Sequence, residues 1–172
     1  FDERYAFLYS SKTLKGEVYE FATGKIFSVP ENLRFSHFIS MQDSMFIHLN
    51  NGSAEIFNFK TGEKKPVAVN VYEFNVSPVG DTVFLRYDVT KIGDSESSCA
   101  LYNPATGQLT PLDTRGALFN TYYSSHGQYL MIRDSFRGVM NLIYNVLTGK
   151  LLPLGLSSQD KPFFPVDENV LA

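Results

Sequence analysis

Three histidines and one cysteine are the residues of this 172-residue sequence with the side chains best suited to metal binding or nucleophilic catalysis. His37 and His48 fall in predicted strands and His126 in a predicted turn, and no pair has the spacing of metal ligands on one element. Cys99 opens an apolar segment, so we interpret it as a small core residue. The sequence contains no Gly-x-Ser-x-Gly elbow and no Gly-x-x-x-x-Gly-Lys loop. We therefore expect no catalytic set, no cofactor and no metal centre.

A long polar segment from about Asp88 to Ser98 carries the next chemical signal. Asp88, Asp94 and Glu96 offer oxygen ligands of the kind that calcium prefers. However, the EF-hand order of alternating acids around a central Gly is absent, so a solvated loop is the favoured interpretation. The segment is still notable, because hairpin loops usually have about two to five residues.

Composition limits the classes of partner. The net charge is −3 at pH 7, whereas nucleic-acid binding usually needs a basic patch. No apolar run is long enough to cross a membrane as a helix. A single Cys and no visible secretory signal favour a reducing, cytoplasmic compartment. The chain starts at Phe1 rather than at Met, so we expect a processed chain or part of a longer protein.

One short sequence pattern occurs four times along the chain. It consists of an apolar residue, an aromatic residue, Glu or Asn, two variable residues and Thr-Gly. The copies are 18–24, 56–62, 101–107 and 143–149. Each copy is typical of a strand that ends in a turn, and no window has sustained helical spacing. With 15 Phe and 10 Tyr, the sequence predicts an all-β protein.

Short strands with a period of about forty residues indicate a β-propeller built from four-stranded antiparallel blades. One sheet cannot cover both of its own faces, so consecutive blades must stack. We expect a single propeller domain or propeller segment over residues 1–172. Its blade units are roughly 1–30, 31–69, 70–112 and 113–154, and 155–172 starts or completes a further blade.

The repeated pattern resembles the third strand of WD-repeat propellers, where Trp-Asp precedes Thr-Gly. The Trp place is taken by Tyr19, Phe57, Tyr102 and Tyr144, and the Asp place by Glu20, Asn58, Asn103 and Asn145. The resemblance implies that the four aromatic residues pack between blades. There is no Trp and no Gly-His pair, so the hydrogen-bonded tetrad of that family is not carried over.

A second, weaker resemblance lies in one turn. Ser77-Pro78-Val79-Gly80 is similar to the Ser-Pro-Asp-Gly turn of TolB-like and prolyl-peptidase propellers, with Val79 in place of the Asp. The blade number remains open between two alternatives. The chain forms a closed four-bladed propeller, in which Phe163–Val166 supplies the strand that the first unit lacks, or it is part of a larger one. We favour the larger propeller, whose open strand edges would pair with further blades or another chain.

In the propellers that this sequence resembles, the loops joining second to third strands, and fourth to next first strands, form the docking face. The candidate partner-binding residues on that face are Phe136, Arg137, Arg133, Asp134, Arg115 and Tyr87. Aromatic and Arg side chains are enriched at interface hot spots.

These observations favour a non-catalytic scaffold for protein–protein interaction, with protein partners. One alternative is an accessory or gating propeller of a larger enzyme such as a peptidase, which rests on the Ser77–Gly80 turn. Another is an enzymatic or carbohydrate-binding propeller.

Overall fold

The structure is a computed structural model that describes residues 4–10, 15–87, 98–112, 119–134 and 141–154. In these ranges the chain forms fifteen strands and no helix. The strands belong to four separate antiparallel sheets. The prediction of an all-β protein made of antiparallel sheets is therefore confirmed, and none of the four sheets is closed within these ranges.

The bounds of the strands follow the repeat. The first sheet contains β1 (Tyr5–Ser10), β2 (Lys15–Glu20) and β3 (Ile26–Ser28). The second contains β4 (Leu33–Phe38), β5 (Ser44–Leu49), β6 (Ala54–Asn58) and β7 (Lys64–Ala68). The third contains β8 (Glu73–Val76), β9 (Val83–Tyr87), β10 (Ser98–Asn103) and β11 (Gln108–Leu112). The fourth contains β12 (Phe119–Tyr123), β13 (Tyr129–Asp134), β14 (Asn141–Asn145) and β15 (Leu151–Leu154).

Each sheet is a meander in which strands adjacent in sequence are hydrogen-bonded neighbours. The first sheet has three strands, and β1 occupies the place that the second strand has in the other sheets. The β1–β2 hairpin continues to the pair Ser10–Lys15, because both strands keep their antiparallel register to that point. The proposed strand Phe163–Val166 and the acidic residues Asp88, Asp94 and Glu96 lie outside the described residues.

The Thr-Gly turns owe their shape to local hydrogen bonds. Asn58 Oδ1 accepts from the backbone N–H groups of Lys60 and Thr61, at 3.0 and 2.9 Å. Gly62 has φ of 77°, in the left-handed region that Gly adopts without steric cost. Its N–H donates to the Asn58 carbonyl at 2.8 Å. Side-chain oxygens that mimic a backbone turn in this way explain why Asn fits the third place of the pattern.

The core lies between consecutive sheets. One buried cluster joins the first and second sheets through residues such as Val18 and Phe57. A second cluster joins the second and third sheets and includes Phe46 and Tyr102. A third joins the third and fourth sheets, and contains Cys99 as a small buried residue. The repeat therefore builds one hydrophobic layer at each sheet-to-sheet interface.

Candidate functional site

An aromatic cleft of about 240 Å³ opens between the second and third sheets. Phe35 on β4 and His48 on β5 line it from the second sheet. Tyr72, Glu73 and Phe74, at the start of β8, line it from the third sheet. The rings of Phe35 and Tyr72 are 54% and 53% exposed. Two half-exposed aromatic side chains therefore form the walls of a cavity at a sheet interface.

The register of the two sheets positions these side chains. Phe35 is the antiparallel partner of His48, and their rings stack with centroids 6.3 Å apart. Phe74 contacts both rings, with its centroid 6.0 Å from that of Phe35 and 5.7 Å from that of His48. Phe74 also packs on Phe46 in the core behind the cleft. The base of the cleft is thus continuous with the hydrophobic layer.

His48 is the polar group at the base of this cleft. Its side chain is 1% exposed, and neither ring nitrogen makes a hydrogen bond of normal geometry to the described part of the chain. Burial, followed by the Arg34 charge, lowers the pKa of His48, while the nearby backbone of Val71 opposes that shift. The ring is therefore neutral near pH 7, with one donor and one acceptor nitrogen. Both nitrogens are buried, and the contact with the Val71 backbone falls short of normal hydrogen-bond geometry. A buried polar group without a well-formed hydrogen bond is unusual and marks a place where a ligand could supply one.

A buried arginine supports the wall made by Tyr72. The Arg86 guanidinium lies 4.5 Å from the centroid of the Tyr72 ring. Its Nη1 forms an ion pair with Glu73 Oε2 at 3.4 Å. Burial raises the pKa of Glu73, and the Arg86 charge partly opposes that effect. The Arg86 charge is therefore compensated by a carboxylate and an aromatic face, which holds the Tyr72 ring in position.

The chemistry of the cleft suits one side chain of a partner better than a larger ligand. Small-molecule pockets usually enclose about 300–1,000 Å³, and this cleft is smaller. Its walls are aromatic and its base offers a neutral imidazole. Arg34 already lies over the Phe35 ring, at 5.5 Å from the centroid, and Arg86 over the Tyr72 ring. Because cations occupy these ring faces, the cleft favours an apolar or aromatic group with a polar tip over a further cation.

Among the six residues predicted to bind a partner, three have a described position. Tyr87 ends β9, is partly buried and packs against the cluster between the second and third sheets. Arg133 and Asp134 end β13, opposite Asn120 and Phe119 of β12. Arg115, Phe136 and Arg137 lie outside the described residues. Whether these six residues bind a partner stays a prediction.

The cleft and Tyr87 lie at the same end of the sheets. His48 and Tyr87 are each near the end of the second strand of their sheet. The Tyr72 N–H donates to the Arg86 carbonyl at 2.8 Å, which places the start of β8 beside the end of β9. The cleft therefore lies at the end of the sheets that the sequence analysis names as the docking face, and whether a partner docks there stays a prediction. The cleft itself was not predicted. Sequence reasoning treated His48 as a structural or solvent-facing residue.

A second cavity, of about 330 Å³, lies at the opposite end of the sheets. It is lined by the β4–β5 turn around Met41 and Gln42, and by the β8–β9 turn from Pro78 to Gly80. Among its lining polar side chains, Arg4 and His37 already have interaction partners, and Ser40 and Gln42 are exposed to solvent. This cavity therefore lacks the unused polar group that distinguishes the aromatic cleft.

Within the described ranges, no three His, Cys, Asp or Glu side chains come close enough together to hold a metal ion. The same part of the chain has no helix that is long and apolar enough to span a membrane.

Comparisons with known proteins define the fold. No family model and no curated protein sequence matches the chain. Among solved structures, the tricorn protease is similar with a TM-score of 0.58 and 14% identity, over 88% of this chain and 16% of that one. TolB from Acinetobacter baumannii is similar with a TM-score of 0.57 and 18% identity, over 90% of this chain and 41% of that one.

Hydrazine synthase from Kuenenia stuttgartiensis is also similar, with a TM-score of 0.54 and 13% identity, over 90% of this chain and 52% of that one. The chain thus spans between about one sixth and one half of the length of these proteins. All three similarities are to propeller-type folds. At such low identity these similarities support the fold alone. This chain therefore has a propeller-type architecture of stacked antiparallel sheets.

Proposed function

We propose that this chain is a non-catalytic protein-binding module that holds one anchor side chain of a protein partner in the aromatic cleft. The observation that carries the proposal is His48, buried without a hydrogen bond of normal geometry in the described chain, beneath two half-exposed aromatic residues. Interface hot spots are enriched in aromatic residues that fill well-packed pockets. The anchor is an apolar or aromatic side chain whose polar tip reaches the imidazole.

The test uses the full chain and a library of displayed peptides. Selection should enrich peptides that share one large aromatic or aliphatic residue. Phe35→Ala and Tyr72→Ala should each weaken the best peptide by about tenfold or more, which is the loss typical of a hot spot. Leu147→Ala is the matched control, because Leu147 is an exposed apolar residue in the turn after β14. Equal affinity of all three variants would contradict the proposal.

His48→Phe separates binding from folding. The substitution keeps an aromatic ring but removes both nitrogens, so a buried group without a partner disappears. Folding stability should therefore stay equal or rise, because replacing unsatisfied polar groups by apolar ones of similar shape is often neutral or stabilising. Peptide affinity should fall, because the polar tip loses its partner. A variant that binds as tightly as the original chain would remove the imidazole from the site.

A second candidate function is an accessory or gating propeller of a larger enzyme. It is supported by the similarity to the tricorn protease, of which this chain spans 16%. The Ser77–Gly80 turn provides the sequence signal. The protein isolated from its own cells should then be a polypeptide that also contains a hydrolase domain, as peptide mapping and intact mass would show. A polypeptide made only of further propeller repeats would exclude this alternative.

A further inference from the structure

The four sheets differ in how much of one face is covered. We define the leading face of each sheet as the face that carries the aromatic residue of the repeated pattern. In the second, third and fourth sheets these aromatics are Phe57, Tyr102 and Tyr144, and all three are buried. In the first sheet the equivalent residue, Tyr19, is only partly buried. Its ring contacts Phe21, which is itself exposed.

A second position shows the same contrast. Leu8 on β1 is the cross-strand partner of Glu17, two residues before the motif aromatic. The equivalent residues of the other sheets are Ile47, Leu85 and Ile132. Those three are 0%, 0% and 1% exposed, whereas Leu8 is 50% exposed. The position is apolar in all four copies and buried in three.

A third position lies two residues after the motif aromatic. Phe21 in the first sheet is 59% exposed, whereas its equivalent in the second sheet, Phe59, is 4% exposed. Ile26, on β3 beside Tyr19, is also exposed. The leading face of the first sheet therefore presents Leu8, Tyr19, Phe21 and Ile26, with the exposed Glu17 opposite Leu8. Exposed contiguous apolar patches of this kind mark interaction sites.

The structure also shows what covers this face elsewhere. Phe57 and Ile47, on the leading face of the second sheet, pack against Tyr5 and Val18 of the first sheet. Tyr102 and Leu85, on the leading face of the third sheet, pack in one cluster with Phe46 of the second. The fourth sheet repeats the contact, with Tyr144 and Ile132 against the third. In every case the cover is the opposite face of a preceding sheet of the same repeat.

We infer that the leading face of the first sheet is a docking surface for a further antiparallel sheet of this repeat, formed by residues outside 1–172. Three interfaces of one geometry lead to a fourth face, which also carries an aromatic residue at the motif position and an apolar residue at the place of Leu8. The fourth sheet of a second copy is a poor occupant. Its opposite face is already covered, because Met131 and Ile143 are both buried. The added sheet would bury Leu8 as deeply as its three equivalents.

Thiol labelling tests this surface in the intact protein expressed from its own gene. Leu8→Cys reports on the docking surface, native Cys99 is the buried reference, and Leu147→Cys is the open reference. If a sheet covers the face, the thiol at position 8 should react at least about tenfold more slowly than the thiol at position 147, since buried groups react only through local opening. Reaction as fast as at position 147 would overturn the inference. Phe21→Cys repeats the measurement if Leu8→Cys does not fold.

A photo-crosslinker attached to the same thiol identifies the occupant. The expected product joins position 8 to a peptide outside residues 1–172 that carries another copy of the aromatic and Thr-Gly pattern. A product that joins two copies of this chain, or protection that is lost on dilution, would overturn the inference in favour of self-association. A cross-link to a peptide without the pattern would overturn it in favour of an unrelated partner. Peptide binding in the aromatic cleft is measured separately, so neither result decides the other.

Discussion

Between the first and second sheets, polar side chains border the apolar core, whereas between the second and third sheets the border is a contact of backbone turns. At the first interface, Lys60 Nζ lies 2.9 Å from Glu20 Oε1 and 3.4 Å from Asp43 Oδ1. The Tyr5 hydroxyl bonds to both carboxylates. At the second interface, the Ser40 N–H donates to the Gly80 carbonyl at 2.8 Å.

The same repeat therefore uses two kinds of contact at the border of its sheet-to-sheet interfaces. The shared hydrophobic layer needs only an apolar residue at each leading-face position. The border is specific to each interface, so it distinguishes one pair of sheets from the next. The stability of an interface bordered by charged side chains should depend on pH. The stability of an interface bordered by a backbone contact should instead fall when a single methyl group is added at that contact. Four pairs of variants test this distinction, from the largest expected effect to the smallest.

Substitutions in the hydrophobic layer between sheets should have the largest effect on stability, except on the leading face of the first sheet. Phe57→Ala removes a buried ring between the first and second sheets, so it should lower the free energy of unfolding by about 3–5 kcal/mol. Tyr19→Ala removes the equivalent ring where no described sheet covers it, so in the 172-residue chain it should cost about 1 kcal/mol or less. Urea unfolding of both variants provides the values. Equal losses would mean that Tyr19 is as well packed as Phe57.

The backbone contact at the second interface should be the next most sensitive feature. Gly80 has φ of 72°, and an added Cβ would lie 2.7 Å from the Ser40 nitrogen and 2.8 Å from the Ile39 Cα. Gly80→Ala should lower the free energy of unfolding by about 2–5 kcal/mol, from left-handed strain together with overpacking. Gly62→Ala is the matched control, with φ of 77° and no atom within 4 Å of its added Cβ. It should cost about 1–2 kcal/mol, the strain alone.

A denaturation midpoint for Gly80→Ala that matches the midpoint for Gly62→Ala would contradict this prediction. It would show that the β4 backbone can move away from the turn without loss, and that the second interface is not closed by this contact.

The stability should respond in opposite directions when the hydroxyl is removed from two buried tyrosines, one at each of these interfaces. Tyr5→Phe loses hydrogen bonds to two carboxylates, which should cost about 1.5 kcal/mol of stability, the lower end for bonds to charged groups. Tyr102→Phe removes a buried hydroxyl that has no partner within the described ranges, so stability should be unchanged or higher. Thermal unfolding of the two variants checks the signs. A loss in Tyr102→Phe would indicate that this hydroxyl has a partner.

Sequence reasoning succeeded where the deciding contacts are local. The Thr-Gly turns were readable because Asn58, Thr61 and Gly62 interact within one turn of chain. The all-β prediction was possible for the same reason, because alternation and turn residues are short-range signals. The repeat also predicted that the motif aromatics pack between sheets, which is confirmed for Phe57, Tyr102 and Tyr144. For Tyr19 the prediction is wrong within the described ranges, because this residue is only partly buried and belongs to none of these clusters.

The cleft could not be located in the same way, because its lining comes from three strands in two sheets. A usable signal did exist. Alternation along β5 places His48 on the same face as Phe46, so the imidazole had to point towards a neighbouring sheet. The local sequence does not show whether the neighbouring sheet offers the imidazole a hydrogen-bond partner. Likewise, the sequence pattern of the first sheet has apolar residues at the same leading-face positions as the other three sheets. Only the structure shows that these residues are uncovered in the first sheet.

The smallest effect concerns the pH response of the first interface. Hydrogen bonds from Thr23, followed by Lys60, lower the pKa of Glu20 to about 2, from a usual value of 4.5. Because the folded-state pKa is depressed, the stabilisation is complete above the unfolded value. It is lost as the pH falls from about 5 towards 2. Glu20→Gln should therefore flatten the stability profile in this window, as urea unfolding at several pH values would measure. Glu63→Gln, at an exposed position, should keep the slope. If Glu20→Gln keeps the slope as well, the acid response belongs to other carboxylates, and the first interface is no more pH-dependent than the second.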